Sequence, residues 1–378
     1  MKNQSSQRLE SLDILRGFDL FCLVALEEVL HPLANAINAP WFNKIMWNFQ
    51  HISWEGFSTW DLVMPLFMFM AGVSMPFALS RYKGSPDKMS VYKRILKRVL
   101  LLWIFGMMCQ GNLLGLDPNR IYFYSNTLQA IAMGYLISAM LFLHVGVKAQ
   151  IGIAVALLLG YWGAMEFITV GGYGGGDYTP DGNLAEWVDR EVLGRFRHYA
   201  QVVNGEVVFA DKYRYTWILS SLNFGVTVLT GVFAGYILKN KATTQKRKLI
   251  LLLGIGAAMV AAGWLWHLQM PVIKKIWTSS MVLVSSGYCF LLMGLFYYII
   301  DYKGYRKNTT WLKVYGMNSI VAYMLGKCVS FTCIGESVFF GLEQYIGAYY
   351  HVWIAFINAA ILYLILWYMY KKQIFLKV

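Results

Sequence analysis

The sequence predicts an all-α, polytopic membrane protein built as a bundle of about ten transmembrane helices. Of its 378 residues, 58% are hydrophobic and 14% are charged, whereas a soluble domain carries nearly twice that share of charge. Apolar runs of roughly 18–25 residues also recur along the whole chain, and each is long enough to cross a hydrocarbon core of about 30 Å as a helix. These two observations exclude a soluble globular protein.

The apolar runs define the predicted spans, which centre near Phe21, Met68, Ile104, Tyr135, Leu157, Val226, Ile255, Phe290, Met324 and Ile361. The strongest basic clusters lie in the short loops at 81–98, 239–248, 303–307 and 371–377. They all fall on one side of the membrane if the spans alternate in direction. The positive-inside rule then places both termini in the cytoplasm. Because these loops also account for the net charge of +13, we do not expect nucleic acid as a partner.

One long segment, Thr169–Tyr215, is predicted to leave the membrane on the opposite, outer side. It carries more acidic than basic residues and opens with the glycine-rich stretch Gly171–Gly176. Because no strand precedes this stretch, it indicates a turn rather than a phosphate-binding loop. The pattern of Asn183–Leu193 predicts a short amphipathic helix at the interface. We interpret residues 1–378 as one domain that includes this excursion.

Ionisable side chains at membrane depth are costly, so each one is a candidate functional residue. Asp13 and Arg16 lie three positions apart in the first span and can pair on one helix face, either as a structural ion pair or as part of a ligand site. Glu27 and Glu28 lie near the far end of the same span. We expect one of them to face a water-filled cavity, since two unpaired carboxylates in lipid would cost several kcal/mol.

The segment from His51 to Phe67 combines most of the side chains that suit catalysis. A histidine at the outer mouth of a span suits general-base chemistry, because imidazole side chains titrate near neutral pH. About three helical turns separate His51 from Asp61, so their spacing does not by itself indicate a bond between these two side chains. Glu27, Glu28 and Glu55 are the alternative carboxylates for orienting His51. A purely structural interfacial histidine is the alternative.

Two later segments carry further candidates. Lys274 and Lys275 lie on the outer side, against the positive-inside trend, and either meet an acidic substrate or pair with the acidic outer segment. Gly316 to Ser319 is predicted to begin a span on the cytoplasmic side, where a helix N-terminus favours the pyrophosphate of CoA; a plain helix start is the alternative. No His, Cys, Asp and Glu residues have metal-ligand spacing, so we predict no metal site.

Together these segments resemble the catalytic domain of heparan-α-glucosaminide N-acetyltransferases, the membrane acetyltransferases of lysosomes and their bacterial relatives. The matching stretches are Ser11 to Gly17, His51 to Phe67, Leu128-Gln129, Lys274 to Ser280 and Gly316 to Ser319. They occur in the family's order and reach from the N-terminus to the predicted span near Met324. The resemblance therefore covers most of the chain.

The resemblance implies a multi-helix bundle, usually dimeric, that takes acetyl-CoA from the cytoplasmic side and acetylates a glucosamine amine on the lumenal or periplasmic face. The family's active-site histidine lies in the motif His-x-x-Trp-x-Gly-x-x-x-x-Asp, which falls here on His51, Trp54, Gly56 and Asp61. Glu27 and Glu55 stand where relatives often carry Asn, and Ala130 stands where many carry Arg. The large lumenal domain of animal members has no counterpart here, so we expect a bacterial inner membrane.

Our hypothesis is that His51 either deprotonates the sugar amine or carries the acetyl group covalently. The catalytic candidates are His51, Asp61 and Glu27. The substrate-binding candidates are Trp54, Glu55, Glu28, Lys274, Lys275 and Trp277. The candidates for contacts with acetyl-CoA, the co-substrate, are Asp13, Arg16, Asn126, Gln129, Asn318 and Ser319. The expected partners are an amino-sugar or glycan acceptor, the lipid bilayer and a second copy of the chain.

Other functions also fit the composition. A secondary transporter for an amino sugar or sugar acid would use the same buried carboxylates and outer lysines, but it would need no CoA. An O-acetyltransferase of a cell-envelope glycan would form an alkali-labile ester instead of an amide. A structural membrane scaffold is the third alternative, and the charges clustered at membrane depth argue against it.

Overall fold

The computed structural model of the protein describes residues 9–110, 121–210 and 214–376. The chain is 73% helical, and the four strands in the described residues form only two short hairpins. The predicted all-α fold class is therefore confirmed. Lys377, the last residue of the predicted C-terminal basic cluster, lies outside the described residues.

The helices and strands of the described residues follow one another in this order: α1 (Glu10–Phe21), α2 (Glu27–Ile37), α3 (Pro40–Met46), α4 (Val63–Leu79), α5 (Met89–Cys109), α6 (Thr127–His144), α7 (Val147–Phe167), β1 (Thr169–Val170), β2 (Tyr173–Gly174), α8 (Leu184–Leu193), β3 (Gln201–Val203), β4 (Glu206–Val208), α9 (Ser220–Lys239), α10 (Gln245–Trp266), α11 (Ser279–Phe296), α12 (Thr310–Met317), α13 (Ser319–Cys328), α14 (Thr332–Phe339), α15 (Glu343–Ile346) and α16 (Tyr350–Lys371). Two π-helical segments, Cys22–Leu26 and Tyr297–Tyr302, continue α1 and α11.

Within the part of the chain that the structure describes, eight helical segments are apolar and long enough to span a membrane. They are Glu10–Ile37, Thr59–Tyr82, Thr127–His144, Val147–Phe167, Ser220–Lys239, Gln245–Trp266, Ser279–Tyr302 and Thr332–Lys371. The protein is thus an integral membrane protein with several spans, as predicted. Two of the predicted spans differ. The helix α5 has 21 residues but carries four basic side chains in its first half, and α13 has only 10 residues, too few to cross a bilayer alone.

The chain forms two compact units, of which the first comprises, among the described residues, 9–51, 58–63 and 295–376. In this unit α1 packs on α12. A Cβ atom on Gly17 would lie 1.8 Å from the carbonyl oxygen of Leu312, and one on Gly316 would lie 2.0 Å from that of Asp13. Only glycine lets two helix backbones approach so closely. The segments around Asp13 and Gly316, far apart in sequence, are therefore packed on each other.

The second compact unit comprises residues 52–57 and 64–294. Helix α9 is its central element, because most of its residues are buried and it packs against α6, α7 and α10. A Cβ atom on Gly231 of α9 would lie 2.0 Å from the carbonyl oxygen of Phe69 in α4, so these helices also cross at glycine. On α10, Ile250 and Leu265 are exposed, and such an apolar surface suits contact with lipid.

The segment Thr169–Tyr215, predicted to leave the membrane, contains the turn and the helix that the sequence predicts. Strands β1 and β2 pair across Gly171 and Gly172, both of which have positive φ angles. Helix α8 covers most of the predicted amphipathic stretch. Asn183 caps it by accepting a hydrogen bond from the backbone N–H of Glu186 at 2.9 Å. The cap fixes where the helix begins.

Two acidic residues of α8 are buried instead of being solvated. The Glu186 carboxylate lies 2.5 Å from the guanidinium of Arg197. Asp189 accepts hydrogen bonds from the backbone N–H groups of Trp217 and Ile218, at 2.8 and 2.9 Å. Burial raises the pKa of Asp189 to about 7, and the two backbone hydrogen bonds partly oppose that rise. Asp189 thereby fastens α8 to the segment that leads into α9, and Glu186 fastens it to the end of the turn that follows α8.

Candidate active site

His51 and Asp61 form a hydrogen bond at the beginning of the second spanning segment. The Nδ1 atom of His51 lies 2.9 Å from Oδ1 of Asp61. The Asp61 side chain is 1% exposed, whereas the His51 side chain is 44% exposed. A buried carboxylate therefore holds one nitrogen of an accessible imidazole.

This bond was not evident from the spacing of His51 and Asp61, which favoured a carboxylate elsewhere in the chain. That expectation assumed a continuous helix, but the chain from 51 to 58 is irregular and only Thr59–Leu62 forms a 3₁₀ turn. The Ser58 hydroxyl donates a hydrogen bond to the carbonyl oxygen of Gln50 at 2.7 Å. The residues on either side of the loop are thereby drawn together, which places His51 next to Asp61.

A capping box fixes the Asp61 carboxylate. Its Oδ2 atom accepts a hydrogen bond from the backbone N–H of Ser58 at 3.1 Å. In return, the backbone N–H of Asp61 donates to the Ser58 hydroxyl oxygen at 3.3 Å. Two backbone donors at the start of the 3₁₀ turn are satisfied in this way. One oxygen of Asp61 thus anchors the turn, while the other orients His51.

The pairing determines what the imidazole can do. A carboxylate at Nδ1 places the ring proton on that nitrogen and leaves the lone pair on Nε2. The Nε2 atom can then accept a proton from an attacking amine or attack an acyl carbon itself. The Asp61 carboxylate stabilises the imidazolium that forms. The geometry therefore suits general-base or nucleophilic catalysis.

Glu27 and Glu28 follow directly after the π-helical segment of the first span, at the beginning of α2. A π-helical segment changes the direction in which the following side chains point, and such segments are frequent at functional sites. Glu28 is exposed and Glu27 is half-buried. Among the described residues, neither carboxylate has an ion-pair or hydrogen-bond partner. Both groups are available to a cationic ligand.

The centre of the histidine motif, residues 52–57, is fixed within the second unit. The indole N–H of Trp54 donates to the carbonyl oxygen of Tyr178 at 2.9 Å. The backbone N–H of Gly56 donates to the carbonyl oxygen of Val272 at 2.8 Å. Gly56 has a φ of +120°, a conformation that a side chain would strain. The glycine of the motif is thus required by the backbone.

Glu55 lies beside a second histidine. Its carboxylate lies 3.6 Å from Nε2 of His267 and is 55% exposed. The Nδ1 atom of His267 accepts a hydrogen bond from the backbone N–H of Val272 at 3.0 Å, so the ring proton sits on Nε2 and points toward Glu55. The exposed carboxylate can meet a cationic group of a substrate.

The segment from Lys274 to Trp277 is largely buried, so little of it is exposed to a substrate. Lys274 is 7% exposed and Trp277 is 1% exposed. The Trp277 indole donates to the Thr227 hydroxyl at 3.0 Å. The Lys275 ammonium lies over the ring of Tyr215, 5.8 Å from its centroid. The substrate contacts predicted for Lys274, Lys275 and Trp277 stay predictions, and the enclosed Trp277 fits a supporting role better.

Asn126 and Gln129 make a second capping box, at the start of α6. The Asn126 side chain accepts a hydrogen bond from the backbone N–H of Leu128 at 2.8 Å. The Gln129 amide oxygen accepts from the backbone N–H groups of Ser125 and Asn126, and its amide nitrogen donates to the carbonyl oxygen of Phe123. These hydrogen bonds give Asn126 and Gln129 a structural role, and the contacts with acetyl-CoA predicted for them stay predictions.

The other four predicted contacts with acetyl-CoA lie in the first compact unit, on α1 or at the break between α12 and α13. Asp13 and Arg16 form the expected ion pair at 3.7 Å. Asn318 does not begin a long span, because it lies at the break between α12 and α13. Its side-chain amide donates to the Ile374 carbonyl at 3.0 Å and accepts from the Leu376 N–H at 3.2 Å. Ser319 is the first residue of α13.

Sequence reasoning missed the partners that hold the histidine motif. The spacing Ser58-x-x-Asp61 is a capping-box pattern, so the anchoring of Asp61 was readable from the sequence. The same pattern, Asn126-x-x-Gln129, marks the cap of α6. No local pattern links His267 to Glu55, since that contact depends on tertiary structure.

The comparisons with known proteins agree with the resemblance drawn from the motifs. Residues 8–171 match the family model of the catalytic region of heparan-alpha-glucosaminide N-acetyltransferase. The Homo sapiens heparan-alpha-glucosaminide N-acetyltransferase is 25% identical to this chain, over 98% of the chain and 60% of that protein. The Mus musculus protein of the same name is 24% identical, over 100% of the chain and 61% of that protein.

The chain spans about 60% of the length of the curated relatives that it matches. The matched family region contains the His51–Asp61 pair, the two carboxylates of α2 and the cap of α6. The family resemblance is confirmed to this extent: this chain is an integral membrane protein whose residues 8–171 match the catalytic family model of heparan-alpha-glucosaminide N-acetyltransferase.

Proposed function

We propose that the protein transfers an acetyl group from acetyl-CoA to the amine of a glucosamine-type sugar on the outer side of the membrane. The observation that carries this proposal is the 2.9 Å hydrogen bond between an accessible His51 and a buried Asp61. Both relatives are named heparan-alpha-glucosaminide N-acetyltransferase. That name indicates the group transferred, an acetyl group, and the class of acceptor, a glucosaminide. The pair supplies the base or nucleophile that this chemistry needs.

The reaction has a direct and a covalent form. In the direct form, His51 Nε2 takes a proton from the sugar ammonium, and the neutral amine attacks the thioester carbon. A C–N bond forms, the C–S bond breaks, and the CoA thiolate leaves and is protonated. In the covalent form, Nε2 attacks the thioester first and CoA leaves; the amine then attacks the acetyl-imidazole and releases His51. Asp61 stabilises the cationic imidazole in both forms.

Acetyl-CoA is expected to approach from the cytoplasmic side. The basic loops place both termini there, if the positive-inside rule holds for this chain. Arg16, at the cytoplasmic end of the first span, is the residue that suits a CoA phosphate. The hydroxyl and N–H of Ser319 are a second candidate, because they begin α13 in the same unit. His51 lies on the outer side in this orientation.

The acceptor is expected to be cationic before it reacts. Glu27, Glu28 and Glu55 are carboxylates that attract an ammonium group. Where the resemblance predicts a neutral amide at two of these positions, this chain has Glu27 and Glu55. The added negative charge favours acceptors with a free amine over neutral or acidic sugars. A homodimer and a bacterial inner membrane stay predictions.

Proteoliposomes test the proposal. Purified protein is reconstituted with labelled acetyl-CoA on the side of the basic loops and glucosamine on the other side. We expect a labelled amide that survives mild alkali, and no glucosamine uptake without acetyl-CoA. An alkali-labile product would show that the protein is an O-acetyltransferase and not an N-acetyltransferase. Glucosamine uptake that needs no acetyl-CoA, with no acetylated product, would show that it is a transporter.

A further inference from the structure

A cavity of about 440 Å³ lies within the first compact unit. Its lining side chains are aromatic or aliphatic throughout. They include the small residues Ala25, Ala359 and Ala360 and aromatic side chains such as Trp311 and Tyr315. The volume falls within the range of about 300–1,000 Å³ that is typical of small-molecule sites.

The position of the cavity identifies the apolar part of its ligand. Ala25 belongs to the first predicted span, and Ala359 and Ala360 belong to the last. A cavity with apolar walls does not hold ordered water. At membrane depth, the apolar material that can fill it is a hydrocarbon chain. Phe356, which also lines the cavity, is 53% exposed, so the chain can enter from the lipid side.

A carboxylate directly precedes a lining residue of this cavity. Glu28 comes immediately before Val29, which lines the cavity, in the first turn of the helix that follows the π-helical segment. It is exposed and has no ion-pair or hydrogen-bond partner among the described residues. A carboxylate beside apolar walls is complementary to a ligand with a cationic head and a hydrocarbon tail.

We propose that this cavity binds the lipid anchor of the acceptor, so that the substrate is an amino sugar carried on a hydrocarbon chain. The chain lies between the first span, α12 and α16, and the sugar ammonium is held near Glu28. The inference rests on the proposed function for the acetylation of that amine, but the binding itself does not depend on acetyl-CoA. A lipid-anchored acceptor would be delivered by diffusion within the bilayer.

The first experiment measures binding without acetyl-CoA. A dodecyl glucosaminide that carries a diazirine in its alkyl chain is photolysed with the protein in nanodiscs, and the label is mapped by mass spectrometry. We expect label on peptides that contain residues 311–315 and 356–363. Ala360→Phe, which fills the cavity, should reduce this label by at least about tenfold, since each buried methylene contributes several-fold to binding. Ala355→Phe on the same helix, outside the lining, should keep it.

Competition tests the head group. Unlabelled dodecyl glucosaminide should compete at least about tenfold better than dodecyl glucoside, which lacks the amine. Glu28→Gln should remove this preference, and Glu343→Gln should not. Equal labelling of the wild type and Ala360→Phe would overturn the proposal, as would competition by a phospholipid that equals that of dodecyl glucosaminide.

Kinetics then separate this proposal from the proposed function. With the wild type, the KM for dodecyl glucosaminide should be at least about tenfold below that for methyl glucosaminide. Ala360→Phe should remove the difference while methyl glucosaminide is still acetylated. If neither sugar is acetylated but the label maps to the cavity, the proposed acetyltransferase function is rejected and the proposed binding site is supported. If both sugars are acetylated with equal KM values, the proposed binding site is rejected and the acetyltransferase function is supported.

Discussion

Gly17 and Gly316 lie against each other where α1 packs on α12, so that a Cβ atom on either would overlap a backbone carbonyl of the other helix. This contact joins two sequence motifs that are about three hundred residues apart. Arg16 and Asn318 are brought into the same region of the first unit by the crossing. The two glycines therefore have a packing role that explains their place in the motifs.

Gly17→Ala tests this crossing. The added methyl group must push the helices apart, and overpacking of this kind costs about 1–3 kcal/mol. We expect a lower apparent Tm in detergent and, because Arg16 is displaced, a raised KM for acetyl-CoA. Gly254→Ala is the matched control, since a Cβ atom at Gly254 meets nothing within 4 Å. An unchanged Tm for Gly17→Ala would show that the helices are not so close.

Asp61→Asn tests the orientation of His51. An amide can still accept from the Ser58 N–H, but it no longer holds the proton of His51 on Nδ1 or stabilises an imidazolium. We expect kcat to fall by roughly 10²–10⁴, with little change in either KM. Ser58→Ala keeps the Asp61 carboxylate but removes the cap and the hydrogen bond to the Gln50 carbonyl oxygen, and loss of the cap should cost about 1 kcal/mol of stability. A kcat for Asp61→Asn within a factor of about two of wild type would contradict the assigned role.

Asn126→Ala separates a structural role from a contact with acetyl-CoA. Loss of an N-cap side chain costs about 1 kcal/mol, so the apparent Tm should fall while the KM for acetyl-CoA stays constant. Thr127→Ala, one residue further on, is the control for a polar side chain outside the capping box. A KM for acetyl-CoA raised by about tenfold at unchanged Tm would restore the contact expected from the family.

Asp189 of α8 makes the stability of the packing around α8 depend on pH. Its folded-state pKa is raised to about 7 from an ordinary value of 3.8, so between these values the folded state binds more protons than the unfolded state. The contribution of Asp189 to the free energy of unfolding is therefore fully present below pH 3.8 and is lost as the pH rises to about 7. Asp189→Asn should make the apparent Tm less dependent on pH over that range. An identical pH profile in the variant would contradict the assignment.

The sequence predicted the parts of this protein that depend on local pattern. Spans such as Val147–Phe167 follow from continuous apolar runs, and the ion pair between Asp13 and Arg16 follows from helical spacing. The predicted span near Ile104 shows the limit of prediction from local pattern, because four basic side chains lie in the first half of α5. Length alone could not decide between a full span and a helix with one end at the interface.

The candidate site was less predictable because it depends on loop geometry and tertiary contacts. His51 was expected to find its carboxylate elsewhere, since the irregular loop between it and Asp61 was treated as a helix. The role of Asn318 was not readable either, because its partners lie in the C-terminal segment. The capping spacing around Gln129 was visible in the sequence and would have identified a structural role.

The most direct test of the central claim compares acetyl transfer to glucosamine by the wild type and by His51→Ala in proteoliposomes. His144→Ala is the matched control, because that histidine contacts Tyr92, away from the histidine motif in sequence. We expect transfer to fall by at least about a hundredfold in His51→Ala, with an unchanged apparent Tm, and to persist in His144→Ala. Transfer that survives His51→Ala would contradict the account of this histidine as base or acetyl carrier.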